Sequence, residues 1–174
     1  MDSLGFWGVL RCINKLFGMS NNKFIWGDEI EAITDPQFKQ HLYLIYAKIS
    51  RNPLFKYIKD EGHLQIFVSQ YVKFKYPNVL CHHSPNEGKR GTFARWMIGL
   101  FVVHAVPDIM IYAIQQTGHD VIDSYGLAIE LKVGRNKPTD RQVACMLQLD
   151  RAGWKTRTHV NFADAKNTID AYLG

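Results

Sequence analysis

An α/β domain behind a helical N-terminal extension is the architecture that this sequence predicts, and three observations predict it. Apolar residues recur at three- and four-residue spacing through most of the first fifty positions. Runs rich in β-favouring residues stand at 108–114 and 127–133. From residue 64 onward, helical stripes alternate with such runs up to the C-terminus.

Taken in order, residues 4–17 set Leu4, Trp7, Leu10, Ile13, Leu16 and Phe17 on one side, with Arg11 and Lys15 elsewhere, which predicts an amphipathic helix. Gly18 to Asn22 reads as a break. Asp35-Pro36 has the form of an N-cap followed by a first-turn proline, and opens a helix whose stripe is Phe38, Leu42, Ile45 and Ile49. Asn52-Pro53 and the polar run Lys59-Asp60-Glu61-Gly62 mark a joint, so the chain divides into an extension over 1–57 and a domain over 58–174. Leu64, Phe67, Val68, Tyr71 and Val72 then form a helix that must stop near Tyr76-Pro77, because the residue before a proline is pushed out of the helical region. A short strand at 79–82 follows. Residues 84–91 read as a cationic loop, and Phe93, Trp96, Met97 and Leu100 as a helical stripe. The two β-favouring runs flank a turn at Thr117-Gly118-His119-Asp120 and predict a hairpin. Thr139-Asp140-Arg141-Gln142 has the form of a capping box before a helix carrying Val143, Met146 and Leu147 and ended by Gly153. Residues 154–160 alternate as a half-buried strand does. Asn161 caps a last helix with Phe162, Ala165, Ile169 and Tyr172 on one face.

A chain of 174 residues has room for one principal domain with a helical extension, not for two full-sized domains. Its 47% hydrophobic and 21% charged content is ordinary for a globular protein and excludes a disordered or collagen-like chain. A formal charge of +5 points toward a polyanionic partner. Cys12, Cys81 and Cys145 are odd in number and widely spaced, which predicts reduced thiols in an intracellular protein rather than a disulfide framework or a thiolate zinc site. The apolar stretches at 4–17 and 96–106 fall short of a bilayer span, and no secretory signal is expected. The sequence also lacks a glycine-rich loop that follows a strand and opens a helix, which weighs against a nucleotide-binding protein of Rossmann type.

The chemistry concentrates in Pro107-Asp108 and Glu130-Leu131-Lys132. Strand alternation puts Glu130 and Lys132 on one face, opposite Leu127, Ile129, Leu131 and Val133. A hairpin centred near residue 119 or 120 sets Asp108 opposite residues 130–132, so two carboxylates and an amine converge at one end of a sheet. Charge placed in so apolar a strand demands a partner or a metal. Carboxylate oxygens suit Mg²⁺ or Mn²⁺, and an adjacent lysine suits the orientation of a water or the stabilisation of developing charge. The plain alternative is a surface ion pair beside an aspartate that merely starts a strand.

Four ordered motifs weigh against that alternative: Ser84-Pro85-Asn86-Glu87-Gly88-Lys89-Arg90, Val106-Pro107-Asp108, Ile129-Glu130-Leu131-Lys132, and Lys137-Pro138-Thr139 with Gln142. In order and spacing, from about residue 60 to the C-terminus, the chain resembles the VRR-NUC nucleases of the PD-(D/E)xK superfamily. The resemblance implies a restriction-endonuclease-like core, with a small mixed central sheet flanked by helices. It implies an endonuclease that hydrolyses DNA with Mg²⁺ or Mn²⁺, in which Asp108, Glu130 and the Leu131 carbonyl bind the ion. Lys132 is then the catalytic lysine, and Gln142 faces the site from the following helix. Stand-alone members of the family act on branched or four-way-junction DNA, often as homodimers, in the setting of DNA repair or of a phage.

The chain departs from the family in having Ala105 where glycine usually precedes V-P-D. The glutamate that the family's early helix often contributes corresponds to either Glu61 or Gln65. Glu87 is a further acidic ligand or a solvated loop residue. Lys89, Arg90, Arg95 and Lys137 are candidate phosphate contacts, as is Arg135, and the His82-His83 pair is read as having no catalytic role. Gln142 has a second reading, since the last position of a capping box bonds its own helix start. The rival reading of the whole is a nucleic-acid-binding or adaptor module that keeps the fold and does not cut.

Overall fold

In the computed structural model, residues 29–84, 105–117 and 121–174 are described. The chain divides into two units, Met1–Ile58 and Lys59–Gly174. In the first, helix α1 (Pro36–Ile49) starts as the sequence predicts, with the Asp35 carboxylate accepting from the backbone N–H groups of Gln37 and Phe38 and Pro36 in the first turn. Its buried face is Phe38, Leu42 and Tyr46, so Tyr46 takes the place expected for Ile45 and Ile49. A 3₁₀ turn over Pro53–Tyr57 closes this unit.

The second unit runs α2 (Asp60–Lys75), β1 (Leu80–His83), β2 (Ile109–Tyr112), β3 (Gln115–Thr117), β4 (Val121–Ser124), β5 (Leu127–Leu131), α3 (Asp140–Arg151), β6 (Lys155–His159) and α4 (Phe162–Leu173). The polar run expected to be a joint is in fact the first turn of α2, where Asp60 and Glu61 face the positive end of the helix. The main sheet has the order β1-β2-β5-β6. The first two pairings are antiparallel and the β5–β6 pairing is parallel, the mixed sheet expected. The sequence reading missed β3 and β4, which pair with one another as a separate two-stranded ribbon. The polar composition of β3, Gln115-Gln116-Thr117, and the short length of β4, Val121–Ser124, hide them from a search for apolar runs.

Alternation along the central strands assigns the two faces. Ile109, Ile111, Leu127, Ile129 and Leu131 are fully buried with Leu64, Phe67, Val68 and Val72 of α2 and Ala165 and Ile169 of α4. Phe162 of α4 meets Phe67 and Tyr71 edge-on, at centroid distances of 6.0 and 5.7 Å. On the other face lies α3, joined to the sheet by Thr156 Oγ1 donating to Asp150 at 2.9 Å and Gln142 Nε2 donating to Glu130. None of the apolar residues expected to bury α3 does so: it has no buried residue, and Val143 and Leu147 stand about half exposed. Gly153 ends α3 at φ +81°, the left-handed conformation that glycine adopts at no steric cost. Beyond the helix, Trp154 lies across Gly126, and its ring meets that of Tyr112 edge-on at 5.3 Å. The expected helices at 4–17 and 93–100 lie outside the described residues. Among the described residues no helix is long and apolar enough to cross a membrane.

Candidate metal centre and cleft

The β2–β5 register pairs Ile109 with Ile129 and is centred on position 119; one step further along it sets Asp108 beside Glu130. The sequence puts the acid pair on the face opposite Leu127, Ile129, Leu131 and Val133, in a strand where charge demands a partner or a metal. In the structure β5 is buried on both faces over its whole length, and Glu130 is 0% exposed and Asp108 2%. The site is thus an interior one, opened at one end of the sheet.

Asp108 is held by two donors. Its Oδ2 accepts the backbone N–H of Leu131 at 2.8 Å, and its Oδ1 accepts Gln65 Nε2 at 2.9 Å. The first bond ties the acid to the very residue whose carbonyl is the expected extra ligand. Gln65 Oε1 in turn lies 2.8 Å from His83 Nε2. Of the two α2 candidates, Gln65 bonds Asp108, while Glu61 joins Asp108 and Glu130 in a cluster whose ligand oxygens all lie within 4.8 Å of one another.

Lys132 reaches into this cluster from the end of β5. Its Nζ is 2.5 Å from Glu130 Oε1 and 3.3 Å from Glu61 Oε1. Burial, and then the neighbouring charge of Asp108, push the Glu130 carboxyl up to about 7 against the pull of Lys132. Lys132 is shifted upward as well. Burial opposes its charge, yet the two glutamates more than offset this and raise its pKa, so it stays an ammonium. Burial and the nearby charges of His82 and Lys73 lower the pKa of His83.

Gln142 serves both of its readings at once. Its Oε1 accepts the Thr139 backbone N–H at 2.9 Å, completing the capping box, while its Nε2 donates to Glu130 Oε1. A side-chain amide has a donor end and an acceptor end, and here each is used.

Does this donor set suit a divalent ion? Three carboxylates converge where the Lys132 ammonium pairs with two of them, and Glu130 Oε2 is buried without a hydrogen-bond partner among the described residues. An orphaned buried carboxylate oxygen beside two further acids is costly in isolation, and it is the arrangement that hard oxygen-seeking cations complete. The residues fit such an ion.

The acids open onto a cleft of about 440 Å³, whose lining includes Glu61, Ala105, Asp108, Lys132, Lys137 and Arg141. Lys137 was expected here; Arg141 was missed, because it stood inside a capping box and was read only as part of a helix start. Ala105 has φ +71°, in the left-handed region. Glycine there is free of strain and alanine is not, which accounts in backbone terms for the glycine expected at this position. Glu87, Lys89, Arg90 and Arg95 lie outside the described residues.

No protein-family model matches this sequence, and no curated protein matches it. Among solved structures, one described as a "VRR_NUC domain protein" is similar, with a TM-score of 0.51 and 22% identity over 66% of this chain and 88% of that one. The chain therefore has the fold of a VRR-NUC domain, a restriction-endonuclease-like α/β core on which Asp108, Glu130 and Lys132 meet at one end of the sheet.

Proposed function

We propose that this chain is a metal-dependent DNA endonuclease that hydrolyses phosphodiester bonds, with branched or four-way-junction DNA as its preferred substrate and residues 58–174 as its nuclease domain. The observation that carries this reading is the buried cluster of Glu61, Asp108 and Glu130 with Lys132 inside it, at the mouth of a cleft lined by cations. Asp108, Glu130 and Glu61, with the Leu131 carbonyl, hold the Mg²⁺ or Mn²⁺. A bound ion of this kind makes a water nucleophilic near neutral pH and offsets charge on the phosphoryl oxygens.

The chain's own residues do the rest. Lys132, kept protonated by its two glutamates, presents an ammonium to the phosphoryl oxygens and to the attacking water. Gln142 and Gln65 hold Glu130 and Asp108 in fixed orientations, which preorganises the acids before substrate arrives. Lys137 and Arg141 contact the phosphate backbone from the cleft wall, a sequence-independent grip suited to reading DNA by shape. Lys89 and Arg90, in the loop predicted over 84–91, and Arg95, in the helix predicted from residue 93, are further candidate phosphate contacts. A homodimer suits a junction with two symmetric strands to cut, and the apolar stripe of residues 4–17 is its candidate interface.

The test is cleavage of labelled linear, flapped and four-way-junction DNA with Mg²⁺, Mn²⁺ or EDTA, alongside Glu130→Ala. Metal-dependent cutting that disappears in the variant is the expected result. Tight DNA binding without cutting under any ion would replace this reading with that of a non-catalytic binding module, the alternative that Ala105 favours.

A further inference from the structure

The hydrogen bonds behind Asp108 have a direction that donor and acceptor chemistry sets. A carboxylate oxygen accepts, so the Gln65 group facing Asp108 Oδ1 at 2.9 Å is the amide nitrogen. The Gln65 oxygen is then turned away from the acid, toward His83 Nε2 at 2.8 Å. An amide oxygen also only accepts, so His83 must supply the proton. On the other side of the cluster the same pattern recurs with different parts: Gln142 turns its oxygen to the Thr139 N–H and its nitrogen to Glu130. Each acid is thus held by a glutamine anchored from behind. Thr139 supplies its anchor through the backbone, which no side-chain substitution short of proline removes. Gln65 depends on a side chain from another element.

We infer that His83 is a positioning residue: its Nε2–H fixes the orientation of the Gln65 amide, and so keeps the donor of Gln65 on Asp108 and the Asp108 carboxylate aimed into the acid cluster. This rests on the metal-centre reading above for its consequence, not for its geometry. Without an anchor at its oxygen, only the bond to Asp108 opposes a half-turn of the buried Gln65 amide. That rotation would bring an oxygen against Asp108, and two acceptors would repel where one donor now binds. The burial of Gln65, at 8% exposure, keeps water from freely replacing the missing donor. Because burial lowers the His83 pKa, the ring near neutral pH carries one proton, which this network assigns to Nε2. The sequence reading dismissed the histidine pair because it looked only for metal ligands, and His83 acts one residue removed from them.

The test uses the full chain, with and without Mn²⁺ as the probe. Long-range ¹H–¹⁵N spectra of the metal-free protein near neutral pH should show His83 as the Nε2–H tautomer. In His83→Ala the Gln65 side-chain amide signals should shift, and Mn²⁺ affinity, read from free Mn²⁺ by electron paramagnetic resonance, should fall roughly tenfold, the usual scale for partners behind metal ligands. His83→Gln, which can again donate to Gln65, should recover most of that loss, whereas a residue that merely fills space would be replaced equally well by His83→Leu. An Nδ1–H tautomer overturns the assignment, as does a His83→Ala protein that binds Mn²⁺ within twofold of the parent. If alanine disrupts folding, the tautomer of the parent and the ranking of glutamine over leucine decide the matter. A parent chain that neither binds Mn²⁺ nor cuts DNA would instead sink the nuclease reading, while the tautomer still tells whether His83 anchors Gln65.

Discussion

At the scale of single residues, the site combines strain and buried charge, and both have measurable consequences. Ala105 sits at φ +71° in the cleft wall. Ala105→Gly should raise stability by about 1 kcal/mol, the strain of a β-carbon in the left-handed region less the extra freedom glycine has when unfolded. An unchanged or lower urea midpoint would show that something else holds this turn. Glu130 gives a second prediction. Its folded pKa is about 7, above its ordinary value of 4.5, so between those limits the folded state holds a proton that the unfolded state has lost. That contribution to stability is fully present below pH 4.5 and disappears as pH rises through 7. In EDTA, Glu130→Gln should therefore gain on the parent between pH 5 and 8, by on the order of 2 kcal/mol. Urea unfolding at the two pH values checks it, and a pH-independent difference would show that Glu130 is ionised throughout.

At the scale of elements, the described helices were legible and the sheet only partly so. The stripe Leu64, Phe67, Val68, Tyr71 and Val72 and the stripe Phe162, Ala165, Ile169 and Tyr172 are buried as their spacing requires, because each faces one continuous core. The failure at α3 has a physical cause: Asp150 and Gln142 join it to the sheet through hydrogen bonds, and periodicity does not register those. Asp108 and Glu130 were placed by counting from a turn, which succeeded because the β2–β5 register is in phase about position 119. Glu61, Gln65 and His83 were beyond such counting, since α2, β1 and β5 meet only in three dimensions. The far end of the sheet offers a prediction of its own. A β-carbon on Gly126 would stand 2.4 Å from Trp154 Cζ3, and the ring packs against Tyr112 at 5.3 Å. Gly126→Ala should cost about 2 kcal/mol, in the range for overpacked sites, and should lower the thermal midpoint while leaving the acid cluster intact. A variant as stable as the parent would mean that the Trp154 ring yields freely.

At the scale of the whole molecule, the second unit spends stability on its acid cluster and should recover it from a cation. Binding an ion to the folded state alone adds about 2.7 kcal/mol when the ion stands at a hundred times its Kd. For a chain of this size that is a rise of roughly 5–10 °C in the midpoint. Mn²⁺ should therefore raise the melting temperature of the parent, and the rise should vanish in Asp108→Asn and Glu130→Gln; an equal rise in all three would place the ion elsewhere. The overall fold was legible from motif order and hydrophobic pattern together, because the mixed sheet follows once a hairpin and a strand–helix–strand unit share one central strand. What the pattern did not reveal is the separate ribbon of β3 and β4, which pair with one another and not with the main sheet.

The double grip of Gln142 has one more implication. Lys132 bonds Glu130 at the end of β5, and Gln142 bonds both Glu130 and Thr139 at the start of α3, so the loop between Lys132 and Thr139 is closed at its base by a side-chain clasp. Within that loop Gly134 stands at φ +60°, where a side chain is strained although nothing crowds the place a β-carbon would occupy. Away from Gly134 such a segment tolerates changes of spelling better than changes of length: a single inserted or deleted residue pulls the clasp apart at its base.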